Sequence, residues 1–269
     1  MDNQPVAFST TIPFWLRLVL GIVLVVIGFF AVQVAIGRHR GAAWSDPRRY
    51  SRRDVGWPTL VAAGLLVALI ALALDIAFDG LITTTFDQPV HDWFVEHRID
   101  WLTPLVITFT NLAGPVGASV LAVVLAVIAA ARAGSWLPAL LIVIGPAVTG
   151  LIVEVVKAVV PRARPAIADQ IVVTIEPSFP SGHATGAFSL YGCFLVVLLT
   201  GFLGPVSRRA AVCWIVGAAV LATLVAASRL YLGVHWFTDV AGGALLGGVA
   251  TAATLAGYRE LARRRAPVG

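Results

Sequence analysis

A chain of 269 residues that is 59% hydrophobic and only 12% charged, with a mean hydropathy of +0.90, excludes a soluble globular domain, which carries about a quarter of its residues as charges. The net charge of +5 and pI of about 9.9 do not make it a nucleic-acid binder, because the basic residues sit in short stretches between long apolar runs. The lipid bilayer is the expected partner, and no nucleic acid is.

A spanning helix takes about 20 mostly apolar residues. Seven segments qualify: 14–37, 58–78, 113–131, 137–157, 183–203, 210–228 and 238–257. The expected fold is therefore all-α, a polytopic bundle of membrane helices. The first segment follows Met1-Asp2-Asn3 with no basic stretch before it. Its apolar run is also longer than that of a cleaved leader, so a retained helix is expected.

Between the second and third spans, residues 79–112 mix acidic side chains with Phe86, Trp93, Phe94 and Trp101. That pattern predicts an amphipathic helix lying at the interface, with its rings at headgroup depth. His91 and His97 within it, like His39 before it, read as surface residues. In the last span Gly243 and Gly247 form a GxxxG pair, which predicts close helix packing. Cys193 and Cys213 lie in apolar runs with neither metal-ligand nor redox spacing, and read as packing residues.

Basic residues in short loops mark the cytoplasmic side. Arg38, Arg40, Arg48, Arg49, Arg52, Arg53, Arg132, Arg208, Arg209, Arg259, Arg263, Arg264 and Arg265 fall on one face of the seven-span arrangement, 13 of the 19 basic residues. That face is expected to be cytoplasmic, with the C-terminus on it and the N-terminus outside. The chain then divides into an N-terminal helix with its basic cytoplasmic loop (1–57), a catalytic membrane domain (58–258) and a basic cytoplasmic tail (259–269).

Charges embedded among membrane helices call for a functional explanation. Three strings hold them: Lys157-Ala-Val-Val-Pro-Arg162-Ala-Arg164-Pro165, Pro180-Ser181-Gly182-His183, and Ser228-Arg229 followed by His235 and Asp239. All three map to the outer ends of the predicted spans. Their inventory suits a phosphoryl group, which needs charge stabilisation on its oxygens, a nucleophile, and a proton for the departing oxygen. Lys157, Arg164 and Arg229 supply cations, and an arginine fork suits two oxygens at once. Ser181 and Gly182 precede a helix start, where unpaired N–H groups bind anions. His235 and Asp239, four apart, share one helical face. The carboxylate there fixes the imidazole tautomer while the other ring nitrogen attacks. His183, arriving from another helix, is left to act as acid. Nearby, Glu154 is expected to pair with Lys157, Arg162 stands open to substrate or solvent, and Tyr231 and Trp236 are expected as interface anchors, with lining of a lipid entrance the alternative.

The three strings resemble the three signature segments of the type 2 phosphatidic acid phosphatase (PAP2) superfamily: Lys-(six residues)-Arg-Pro, Pro-Ser-Gly-His, and Ser-Arg-(five residues)-His-(three residues)-Asp. All match without a substitution and in order over residues 157–239. The resemblance implies a six-helix core, with residues 14–37 an extra N-terminal helix. It implies a membrane phosphatase acting on a lipid phosphate or diphosphate of the polyprenyl diphosphate, phosphatidic acid or phosphatidylglycerol phosphate type, with no metal or other cofactor. His235 would become a phosphohistidine, Asp239 would assist it, and His183 would protonate the leaving group and later activate water. Lys157, Arg164, Ser181, Gly182 and Arg229 would hold the phosphate. A lipid phosphotransferase is the nearest alternative. A transporter is disfavoured because the bilayer midplane is nearly free of charge. A vanadate-dependent haloperoxidase, sharing the superfamily's anion site, is disfavoured by the seven spans.

Overall fold

Local signals set where each helix begins and ends. The Asp54 carboxylate accepts the Ser51 backbone amide at 2.7 Å, a capping box that opens the first described helix. Gly134, at φ 58°, closes the fourth in the left-handed conformation that glycine adopts without strain. Ser181 and Ser207 each cap a helix by accepting the amides of Ala184 and Ala210 at 3.4 and 3.2 Å.

The computed structural model describes residues 51–265; the predicted span 14–37, His39 and most of the first basic loop lie outside the described residues. The helices are α1 (Arg52–Ala77), α2 (Leu81–Glu96), α3 (Thr103–Leu112), α4 (Pro115–Ala133), α5 (Leu137–Val159), α6 (Gly182–Leu199), α7 (Arg208–Tyr231) and α8 (Phe237–Arg265), with a 3₁₀ turn at Ile167–Asp169. Among the described residues there is no strand. Six helices (α1, α4, α5, α6, α7 and α8) are long and apolar enough to cross a membrane, and they correspond one for one to the last six predicted spans. The protein is an all-α, multi-pass membrane bundle.

The bundle is built around α6 and α8. In its most apolar stretch α6 is 72% buried, against 17% for α1 and for α4, so α6 is wrapped by protein while the outer helices face lipid. Large apolar side chains such as Leu60, Val67, Val120 and Val155 are accordingly exposed. In hydrocarbon there is no hydrophobic force between helices, so close van der Waals contact holds them together. The GxxxG pair supplies it. A Cβ at Gly243 would lie 2.8 Å from the Ser181 carbonyl oxygen, and one at Gly247 would lie 2.5 Å from Phe188 Cβ. From the α6 side, a Cβ at Gly192 would strike Thr251 Oγ1. At each contact the glycine on one helix leaves room for a residue of the other.

Two regions differ from the sequence expectation. Residues 79–112 form two helices, α2 and α3, joined by a turn, and α2 buries Asp87, Val90 and His91 along one face. An amphipathic pattern shows that a helix has a polar side, and here part of that side, Asp87 and His91, is packed against Arg162 and Asp169, while Gln88, Asp92, Glu96 and His97 are exposed. The tail expected from residue 259 is helical as far as Arg265. Glu260 there accepts from Arg263 at 2.8 Å and from Arg264 at 2.6 Å, and Arg259 donates to the Asp54 carbonyl at 3.0 Å. This last contact joins the basic ends of α1 and α8, at the end of the bundle opposite the three motifs.

Candidate active site

Four helix ends converge on one place. Lys157 lies in the last turn of α5, Ser181 caps α6, Arg229 lies in the last turn of α7 and Asp239 in the first turn of α8. The connecting segment 160–181 is tied down by its own hydrogen bonds, as backbone packed against protein must be. The Ser178 amide donates to the Arg162 carbonyl at 2.9 Å, and the Ile171 amide to the Leu232 carbonyl at 3.0 Å. Gln170 Nε2 donates to the Pro165 carbonyl at 2.9 Å, and Arg98 Nη2 to the Asp169 carbonyl at 2.6 Å.

His235 sits in the turn between α7 and α8, 3% exposed. Its Nδ1 is 3.3 Å from Asp239 Oδ2, and its Nε2 is 3.2 Å from Arg164 Nη1. A carboxylate only accepts and a guanidinium only donates. The two partners therefore leave one neutral tautomer, with the proton on Nδ1 and the lone pair of Nε2 aimed at Arg164. Burial pushes the His235 pKa down to about 4; Asp239 opposes this, and the charges of Arg164 and Arg229 add to it. Because the shift is downward, the ring is neutral at every pH above about 4 and becomes cationic only below it. NMR of histidine-labelled protein in micelles, assigned by loss of the signal in His235→Ala, should show no titration of this ring near pH 6.5. A midpoint there would contradict the buried, neutral imidazole.

Asp239 is wholly buried and its carboxylate is fully engaged. Oδ2 accepts the Trp236 amide at 2.8 Å as well as His235, and Oδ1 accepts Arg162 Nη1 at 2.6 Å and Ser178 Oγ at 3.4 Å. Arg164 is held by backbone: Nε donates to the Glu176 carbonyl at 2.7 Å, Nη2 to the Pro177 carbonyl at 3.4 Å, and Nη1 to the Val234 carbonyl. Burial draws its pKa below the ordinary arginine value, while Asp239 and Glu176 oppose that change.

Arg229 is 7% exposed and donates through Nη1 to Thr110 Oγ1 at 3.0 Å. Its Nε is buried without a hydrogen-bond partner, a costly arrangement that an anion would relieve. Lys157 Nζ is 3.4 Å from Glu176 Oε2 and 3.9 Å from Glu154 Oε1, so Glu154 pairs with it as expected. Ser181 is buried and uses its hydroxyl as the α6 cap, leaving Gly182 to open the helix with backbone N–H groups directed outward along the axis. His183 follows in the same turn and feels the charges of Arg229, His235, Arg164 and Lys157. All eight residues singled out in the sequence thus belong to one cluster.

His183 also meets a residue outside the motifs. A Cβ at Gly114, where α4 begins, would lie 3.2 Å from His183 Nε2 and 3.1 Å from the Asn111 carbonyl oxygen. A Gly114→Ala protein should therefore fold but displace the imidazole, lowering kcat by about 10–100-fold. Wild-type kcat in that variant, with an unchanged Tm, would show that the ring has room.

Several sequence readings are corrected. His91 is not a surface residue: it is 4% exposed, with Nε2 3.3 Å from Asp169 Oδ2 and the ring 5.4 Å from that of Trp236. Tyr231 is no interface anchor, since its buried hydroxyl donates to the Ile99 carbonyl at 3.0 Å and lies 2.8 Å from Thr103 Oγ1. Arg162 meets neither open solvent nor an empty space, because its guanidinium joins Asp239 to Asp87. Asp87, Thr110 and Gly114 were not identified from the sequence as parts of the site. An acidic side chain, a hydroxyl and a glycine in a mixed segment carry no spacing signal.

Comparison with known proteins agrees with the motifs. Residues 136–263 match the PAP2 superfamily model. The chain is 33% identical over 183 residues to phosphatidylglycerophosphatase B of Bacillus subtilis, covering 66% of this chain and 86% of that protein. It is 34% identical over 177 residues to decaprenylphosphoryl-5-phosphoribose phosphatase of Mycobacterium tuberculosis, covering 64% of this chain and 80% of that one. The crystal structure of a transmembrane PAP2-type phosphatidylglycerolphosphate phosphatase from Bacillus subtilis superposes with a TM-score of 0.65 at 28% identity, over 74% of this chain and 96% of that one. With its six apolar helices and its three motifs gathered at one end of the bundle, the chain belongs to the PAP2 superfamily, among its membrane phosphatases.

Proposed function

We propose that this protein hydrolyses the terminal phosphate of a membrane lipid phosphate or diphosphate through a phosphohistidine on His235. The observation that carries the reading is the forced tautomer of His235: Asp239 holds Nδ1–H, so the lone pair lies on Nε2, which accepts from Arg164, one of the residues proposed to hold the phosphate. Lys157, Arg164 and Arg229, with the first amides of α6, would hold the phosphate oxygens.

In the first step Nε2 forms a bond to phosphorus as the bond to the lipid oxygen breaks, and His183 gives its proton to that oxygen. The carboxylate of Asp239 stabilises the charge that develops on the ring. In the second step His183 takes a proton from water, the water oxygen bonds to phosphorus, the N–P bond breaks, and inorganic phosphate leaves. Binding a phosphate anion beside His183 favours its protonated form in the first step.

The relatives' names set the substrates to try: a phosphorylated glycerol on a diacyl lipid and a phosphorylated ribose on a polyprenyl phosphate. Purified protein in detergent should be offered these two, phosphatidic acid and a polyprenyl diphosphate, with phosphate release measured for each. Release from at least one, together with acid-labile label trapped on His235, is the expected result. No release from any of the four lipids, or equal release by His235→Ala, would overturn the reading.

The site is proposed to face the periplasm or cell exterior, because the basic ends of α1, α4, α7 and α8 lie at the opposite end of the bundle. With Cys193 and Cys213 replaced by alanine, a single cysteine at Ala168 should react with an impermeant thiol reagent in intact cells, and one at Ser51 only after lysis. The reverse pattern would invert the orientation.

A further inference from the structure

We propose that Arg162 and Asp87 are positioning residues for the reaction, acting on His235 through Asp239 rather than on the substrate. The inference rests on the roles proposed above for His235 and Asp239.

Arg162 Nη1 donates to Asp239 Oδ1 at 2.6 Å and to Thr238 Oγ1 at 2.7 Å, and its Nη2 pairs with Asp87 Oδ2. Asp87 in turn accepts the Thr238 amide at 2.9 Å and the Thr238 hydroxyl at 2.8 Å. The guanidinium lies 5.9 Å over the Trp236 ring. The Arg162 side chain is 11% exposed, Asp87 6% and Asp239 0%. One cation thus joins two buried carboxylates, and the second belongs to α2, which carries none of the three motifs.

The division of Asp239's oxygens gives this network a purpose. Oδ2 faces His235 and Oδ1 faces Arg162. Rotation of the carboxylate about Cβ–Cγ would carry Oδ2 away from Nδ1, and Arg162 on Oδ1 opposes that rotation. Asp87 and Thr238 hold Arg162 in turn, and without Asp87 the guanidinium would be free to follow the other anions at the site. A buried ion network of this kind adds little net stability and instead selects one geometry. Arg162 differs here from Arg164: the latter reaches Nε2, the attacking nitrogen, whereas both terminal nitrogens of Arg162 are committed on the far side of Asp239.

The test compares Arg162→Gln and Asp87→Asn, alone and combined with Asp239→Asn, in the purified full chain in micelles. kcat and KM are measured for the lipid phosphate turned over by the wild type, along with inhibition by inorganic phosphate and Tm. Arg162→Gln should lower kcat by about 10–100-fold, with KM and phosphate inhibition changed by less than about threefold. In the Asp239→Asn background the same substitution should cost less than about threefold, because residues acting as one unit are not additive. Multiplying losses in the double variant would overturn the proposal, as would weakened phosphate inhibition with kcat intact, which would make Arg162 a phosphate ligand. Should Arg162→Gln fail to fold, Asp87→Asn keeps the side-chain volume and carries the same comparison. If Asp239→Asn itself turns over at the wild-type rate, the functional reading falls and this inference with it. If Asp239→Asn is slow but Arg162→Gln and Asp87→Asn are not, this inference alone falls.

Discussion

Phosphate release by a His235→Ala protein should drop to the background of the micelles. The imidazole supplies the only lone pair in the cluster that two partners hold ready, with Nδ1 at 3.3 Å from Asp239 and Nε2 at 3.2 Å from Arg164. The guanidinium groups of Arg164 and Arg229 only donate, and the Ser181 hydroxyl is engaged as the α6 cap. Loss of a nucleophile that works as part of a unit is worth on the order of 10⁶-fold in kcat. The cations remain, so the variant should still bind inorganic phosphate, and the measurement separates catalysis from binding. Turnover within tenfold of wild type would remove His235 from the reaction.

The second large effect is expected at His183. Without it the lipid oxygen leaves as an alkoxide, a loss of about 10²–10⁴-fold in kcat for an alkyl phosphate. The size of that loss should depend on the substrate. With an aryl phosphate whose leaving group has a low pKa, protonation contributes little, and His183→Ala should approach the wild-type rate of N–P bond formation. A burst of released phenol followed by slow phosphate release would then expose the second step, in which His183 activates water. Equal losses for alkyl and aryl substrates would take His183 out of the acid role and leave it a packing residue against Gly114.

Much of the architecture was legible because the bilayer constrains the sequence so strongly. A spanning helix must be long and apolar, so six of the predicted runs appear as α1, α4, α5, α6, α7 and α8, with ends shifted by at most eight residues. Helix alternation then places Lys157, His183, Arg229 and Asp239 at one end. The GxxxG pair was legible for a similar reason: in lipid, two glycines one turn apart have few uses other than close packing, and Gly243 and Gly247 do meet α6. Residues 79–112 were harder. The polar face of α2 has the same periodicity whether it meets water or a buried arginine, and sequence spacing does not distinguish the two.

The sequence by itself determined the class of the protein, its spanning helices, and the eight residues of the cluster, because each follows from local pattern: hydropathy over one helix length, or residue types a fixed number of positions apart. The tertiary structure alone decided which of those residues touch, and what surrounds them. Arg162 and Asp87 are 75 positions apart and Arg229 and Thr110 are 119 apart, and no periodicity links such pairs. The same holds for Arg98, which anchors the loop over the site, and for Tyr231, whose hydroxyl turns inward to the start of α3. Partners of this kind are chosen when helices pack and a buried polar group must find whatever donor or acceptor its neighbours present, since leaving it unpaired costs about 1–3 kcal/mol.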